Sequence, residues 1–163
     1  MLYPPNCLST MNSMRFLLSG VIISLGLLPL AAQAQQQSSN TQVAAMVEAL
    51  RLAAPKTTDD SLYSEWKVKG ETFRSWSKSC LEKEVQPTQF ASNPELARQV
   101  ISCIMERELK GQLDATNNNE TEAVSRTACW WMTGKYTGCN SGFTADYVKK
   151  VSGYYQEQSS QPE

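Results

Sequence analysis

Four cysteines, Cys80, Cys103, Cys129 and Cys139, follow an apolar leader, and they constrain this chain more than any other feature. The leader reads as an export signal. Met14-Arg15 is a short basic start, residues 16–30 ("FLLSGVIISLGLLPL") are an apolar run, and Ala32 and Ala34 are the small residues of a cleavage site. The run falls short of the roughly 20 residues that a membrane span requires, and Gly20, Gly26 and Pro29 interrupt it. A signal peptide over residues 1–34 is therefore expected, and no membrane span in the mature chain. The start is Met1, Met11 or Met14; Cys7 exists only if it is Met1. An even cysteine count in an exported chain reads as two disulfides.

Helical periodicity limits how those disulfides pair. Val43, Met46, Val47 and Leu50 share one helical face, and Pro55 ends the run. Phe73, Trp76 and Cys80 form the stripe of a second helix, after a short stretch that Gly70 interrupts. Pro87 breaks the chain. Asn93-Pro94-Glu95 then restarts it as N-cap, first helical residue and favourable charge. This third helix runs to about Leu109 with apolar residues on two sides (Leu96, Val100, Cys103 and Ile104; Ile101, Met105 and Leu109), the pattern of a central helix. A fourth helix is expected over residues 120–132 and a fifth over residues 144–155. Strand signals are poor, so the fold class is all-α: a single domain of about five helices. A polar leader (residues 35–41) precedes the domain (residues 42–155), and a disordered tail (residues 156–163) follows it. Cys80 and Cys103 lie on apolar faces of neighbouring helices, which favours Cys80–Cys103 and Cys129–Cys139 among the three connectivities that four cysteines permit.

Composition excludes several function classes. The sequence has no histidine, which removes Ser-His and Cys-His catalysis, histidine-ligated haem and the common zinc sites. Beyond residue 34 the chain carries 14 basic and 16 acidic side chains, a net charge of −2, with no basic stripe for nucleic acid. No metal or cofactor is expected. The segment "TACWWMTGKYTGC" (residues 127–139) concentrates apolar area that needs cover. Trp131 shares a helix face with Val124 and Ala128, while Trp130 is rotated about 100° from it. The loop closed by Cys129 and Cys139 is long enough to fold back over Trp130; otherwise one indole offers a stacking surface.

Taken in order, four segments resemble a known family, the lysozyme-like muramidases and lytic transglycosylases of the phage-tail type. Residues 62–77 ("LYSEWKVKGETFRSWS") are similar to that family's Leu-Gly-Arg-Tyr-Gln-Val segment and the Trp-Thr/Ser after it. Residues 85–100 ("VQPTQFASNPELARQV") resemble its Leu-Thr-Pro-x-x-Phe segment, residues 122–135 ("EAVSRTACWWMTGK") its Trp-Phe-Thr-Gly helix, and residues 144–151 ("TADYVKKV") its closing helix. The resemblance implies a lysozyme-like helical domain around a glycan cleft, with a peptidoglycan glycan strand as partner. It also implies a catalytic glutamate on the first helix, which falls on Glu48, 18 residues before Trp66. A glutamate walled by apolar groups keeps its proton near neutral pH and can donate it to a glycosidic oxygen. Trp66, Lys67 and Trp131 would line the substrate groove. The chain departs from the family pattern where Ala49-Leu50 replace a small polar residue and glycine, and where Lys67 replaces a glutamine. A Lys67–Glu48 ion pair would oppose acid catalysis. The expectation is an exported protein, in the bacterial periplasm, outside the cell or in a thylakoid lumen, that cleaves or binds peptidoglycan glycan strands. The alternative is a non-catalytic binding or assembly protein of the envelope on the same scaffold.

Overall fold

The computed structural model describes residues 30–161. Most of the expected signal peptide lies outside them. The described chain is all-α apart from one small hairpin, with six helices where about five were expected. Helix α1 (Leu30–Ala53) leads through an extended segment to β1 (Leu62–Tyr63) and β2 (Val68–Lys69). The strands pair antiparallel, with Leu62 opposite Lys69 and Tyr63 opposite Val68. Helices α2 (Gly70–Leu81), α3 (Pro87–Ser92), α4 (Pro94–Ala115), α5 (Glu120–Thr133) and α6 (Gly142–Ser159) follow. Among the described residues no helix is long and apolar enough to cross a membrane.

Helix α4 is the central element, packed against α1, α2, α3 and α5, while α6 closes the other side against α1 and α5. Its two apolar sides are both covered: Val100, Ile101, Ile104 and Met105 are fully buried. The Asn93 side chain accepts a hydrogen bond from the Leu96 N–H at 3.0 Å, so the cap read from the sequence is formed. Helix α5 is bounded in the same way. Asn119 caps its start, and Gly134, at φ +74°, ends it in the left-handed region that glycine adopts without strain. Every buried side-chain nitrogen and oxygen among the described residues has a hydrogen-bond partner.

Four boundaries differ from expectation. Helix α1 runs back through the segment read as a polar leader, α4 runs past Leu109 to Ala115, and α6 runs to Ser159 through the first half of the expected tail. Pro87, read only as a break, is the first residue of α3; the Gln86 and Gln89 side chains cap it reciprocally. Both disulfides pair as the helical stripes favour. Cys80–Cys103 joins α2 to α4, and Cys129–Cys139 closes a loop of ten residues' separation at the end of α5.

Candidate functional site

Four elements converge on a groove of about 600 Å³. One wall is aromatic: Trp76 from α2, and Trp130 and Trp131 from the last turn of α5. The hairpin supplies the other wall through Lys67, Val68 and Lys69, and Tyr147 of α6 lies at its edge. The aromatic wall is a ladder. Trp76 and Trp130 stack with ring centroids 6.2 Å apart and planes at 19°, and Tyr136 stacks on Trp130 at 6.3 Å and 13°. Trp131 meets Trp76 at 5.5 Å with a tilt of 43°. All three indoles are half-buried.

The cover over Trp130 is protein. Tyr136 belongs to the loop that Cys129–Cys139 closes, and its hydroxyl donates to Glu108 Oε2 at 2.5 Å. Glu108 is a buried carboxylate on α4 that also accepts from Arg107 Nε at 2.9 Å. The hydrogen bond to Glu108 and the loss of hydration push the Tyr136 phenol up to about 12. Trp131 is left with a partly open indole facing the groove.

Trp66, Lys67 and Trp131 therefore come together on one groove. Trp66, however, is 1 % exposed, and its indole N–H donates to the Val47 carbonyl at 2.7 Å. It is floor and core, with no face free to stack on a ligand. Lys67 is half-buried at the last position of the turn between β1 and β2, in the left-handed region at φ +54°.

Glu48 does not line this groove. Helix α1 continues past it to Ala53, and its carboxylate is gripped by two arginines. Arg51, one helical turn on, donates from Nε at 3.0 Å and from Nη2 at 2.5 Å; Arg98 of α4 donates from Nη2 at 3.3 Å. The Arg51 hydrogen bonds outweigh partial burial and, with Arg98, hold the Glu48 carboxyl below its ordinary value. That is the reverse of the apolar shelter a proton donor needs. The expected rival for Glu48, Lys67, is not its partner; Arg51 also reaches Glu65 at 3.5 Å, and the Arg98 guanidinium lies 5.2 Å from the Trp66 ring centre. Glu48, Arg51, Arg98 and Trp66 form a polar cluster that ties α1, the hairpin turn and α4 together.

Sequence reasoning missed Trp76 and Lys69 as groove residues. Trp76 shares the second helix's apolar stripe with Phe73 and Cys80, which does not distinguish a groove residue from a core one, and Lys69 looks like any exposed lysine until β2 turns it along the groove. Among the described residues no three acidic or cysteine side chains cluster closely enough to hold a metal ion. No known protein family, curated protein sequence or solved structure matches the chain.

Proposed function

We propose that this chain is an exported, non-catalytic peptidoglycan-binding protein that holds a glycan strand against the tryptophan groove. The observation that carries this reading is the composition of the groove: half-open indoles on one wall and Lys67 and Lys69 on the other. Indole faces suit the apolar faces of sugar rings, and a few polar groups on an apolar surface fix orientation. The lysines complement the carboxylates that peptidoglycan carries. The likeness of four segments to muramidases supports the same ligand class. Two disulfides and the apolar leader support export to an oxidising compartment.

Binding without cleavage follows from Glu48. A carboxyl held below its ordinary 4.5 is ionised near neutral pH and has no proton to give a leaving oxygen. The test uses purified sacculi with the wild type, Trp131→Ala and Glu48→Gln. The wild type is expected to co-sediment and to release no soluble muropeptides. Trp131→Ala should lower the bound fraction, and Glu48→Gln should leave it unchanged at a temperature where that variant is folded. Muropeptide release by the wild type that Glu48→Gln abolishes would restore the enzymatic reading. Failure of the wild type to bind sacculi would remove the glycan altogether.

A further inference from the structure

A second hollow, of about 620 Å³, lies beside the tryptophan groove, between the C-terminal end of α1, the segment after it and the hairpin turn. The two share Pro55 and Lys67, so they are contiguous. Their chemistry differs. The groove is aromatic, whereas the second hollow is lined by Arg51, Lys56 and Lys67 against a single carboxylate, Glu65, with Thr57 and Thr58 as neutral polar groups. Arg51 is engaged by Glu48 and Glu65. Lys56 and Lys67 make no ion pair among the described residues, although Asp59 is near enough for Lys67 and Lys69 to add to the lowering of its carboxyl, which its hydrogen bonds from Ser61 dominate. Lys67 also occupies the left-handed backbone region, at φ +54°, which disfavours a side-chain-bearing residue. Its place on the seam between aromatic and cationic hollows is therefore held against a local preference.

We infer that this second hollow is an anion-binding subsite, and that the full ligand is a glycan carrying carboxylate side arms rather than a neutral one. The sugar faces lie on the indoles, Lys67 meets the anion at the seam, and Lys56 receives it in the second hollow. This rests on the glycan reading of the tryptophan groove and adds the selection among glycans. A stem-bearing peptidoglycan fragment engages both hollows; a neutral N-acetylglucosamine oligomer engages only one.

The experiment titrates the full protein with a stem-bearing glycan fragment and with a neutral N-acetylglucosamine oligomer, reading tryptophan fluorescence. The variants are Lys56→Gln/Lys67→Asn, with asparagine chosen because it tolerates the left-handed backbone, and Lys78→Gln, whose side chain lines neither hollow. The wild type should prefer the stem-bearing fragment. The double variant should lose about three- to tenfold of affinity for it, the range two partly screened ion pairs provide, and a smaller factor for the neutral oligomer, which meets only Lys67 on the groove wall. Raising salt from about 50 to about 300 mM should erase the same increment, and Lys78→Gln should match the wild type. Equal affinity for the two ligands, with no effect of the double substitution, would overturn the subsite and leave the groove reading standing. Binding of neither ligand by the wild type would overturn both.

Discussion

Glu48 shows how little a residue's chemistry depends on its identity alone. Flanked by the fully buried Val47 and Ala49, it would be a proton donor if its carboxylate faced apolar walls. Two guanidinium groups instead make it a structural anion. Removing it leaves Arg51 and Arg98 without their main acceptor, so Glu48→Gln should cost about 1–2 kcal/mol, a charged hydrogen-bond cluster discounted for partial exposure. The pH dependence has a fixed sign. Because the folded carboxyl titrates below the ordinary 4.5, its stabilisation is complete above that value and is lost as pH falls through the lower folded one. Urea unfolding should show the gap between wild type and Glu48→Gln in full at about pH 7 and narrowing steadily as pH falls below the ordinary 4.5. A gap that widens on acidification would mean that Glu48 is held protonated instead. The sequence reading offers Lys67 as the partner and passes over Arg51, although Arg51 stands three residues from Glu48 on the same face. Arg98 is fifty residues away, and nothing in a helical period says that α4 delivers it to α1.

Periodicity marks α4 and α5 best, and their boundaries are sharpest where a chemically specific signal stands: Asn93 and Pro94 start α4, and Asn119 and Gly134 bound α5, whereas no such signal marks the end of α4, which runs to Ala115 instead of stopping near Leu109. Strands of two residues each show no period-two alternation, and α3, with six residues, spans less than two turns. Those elements exist through tertiary packing, and the two strands with their turn build the hairpin wall of the groove. Gly70 is where that packing is tightest. A Cβ there would stand 2.9 Å from Pro87 Cγ and 3.0 Å from Tyr63 Cε2, both ring atoms of residues fixed in neighbouring elements. Gly70→Ala should therefore destabilise by about 1–3 kcal/mol, despite alanine's better helix propensity, because the hairpin or α3 must shift. Gly111→Ala is the control: nothing lies within 4 Å of its added Cβ, so it should stabilise α4 by up to about 1 kcal/mol. Thermal melts of the pair decide the matter, and equal shifts would mean that the Gly70 junction yields freely.

Across the whole molecule the two disulfides have different duties. Cys80–Cys103 spans 23 residues and clamps α2 to the central helix, so it constrains the unfolded chain more. Cys129–Cys139 spans 10 residues and holds the loop that carries Tyr136 onto Trp130 and Glu108. Chain entropy assigns about 3.5 kcal/mol to the first and somewhat under 3 kcal/mol to the second. Replacing Cys80 and Cys103 by alanine should thus lower the melting temperature more than replacing Cys129 and Cys139. The effect on the groove should run the other way. Without Cys129–Cys139, Tyr136 is no longer tethered over Trp130, the stack on Trp76 loses its backing, and the aromatic wall loosens. Near-UV circular dichroism of the folded variants should show a reduced tryptophan signal for the Cys129/Cys139 pair, with weaker glycan binding, and a native signal for the Cys80/Cys103 pair. A native aromatic spectrum after loss of Cys129–Cys139 would mean that the Glu108 hydrogen bond and the Trp130 stack hold the loop unaided. The pairing of cysteines could be read from helical stripes, but this division of duties could not, because it depends on which side chains the short loop lays across the end of α5.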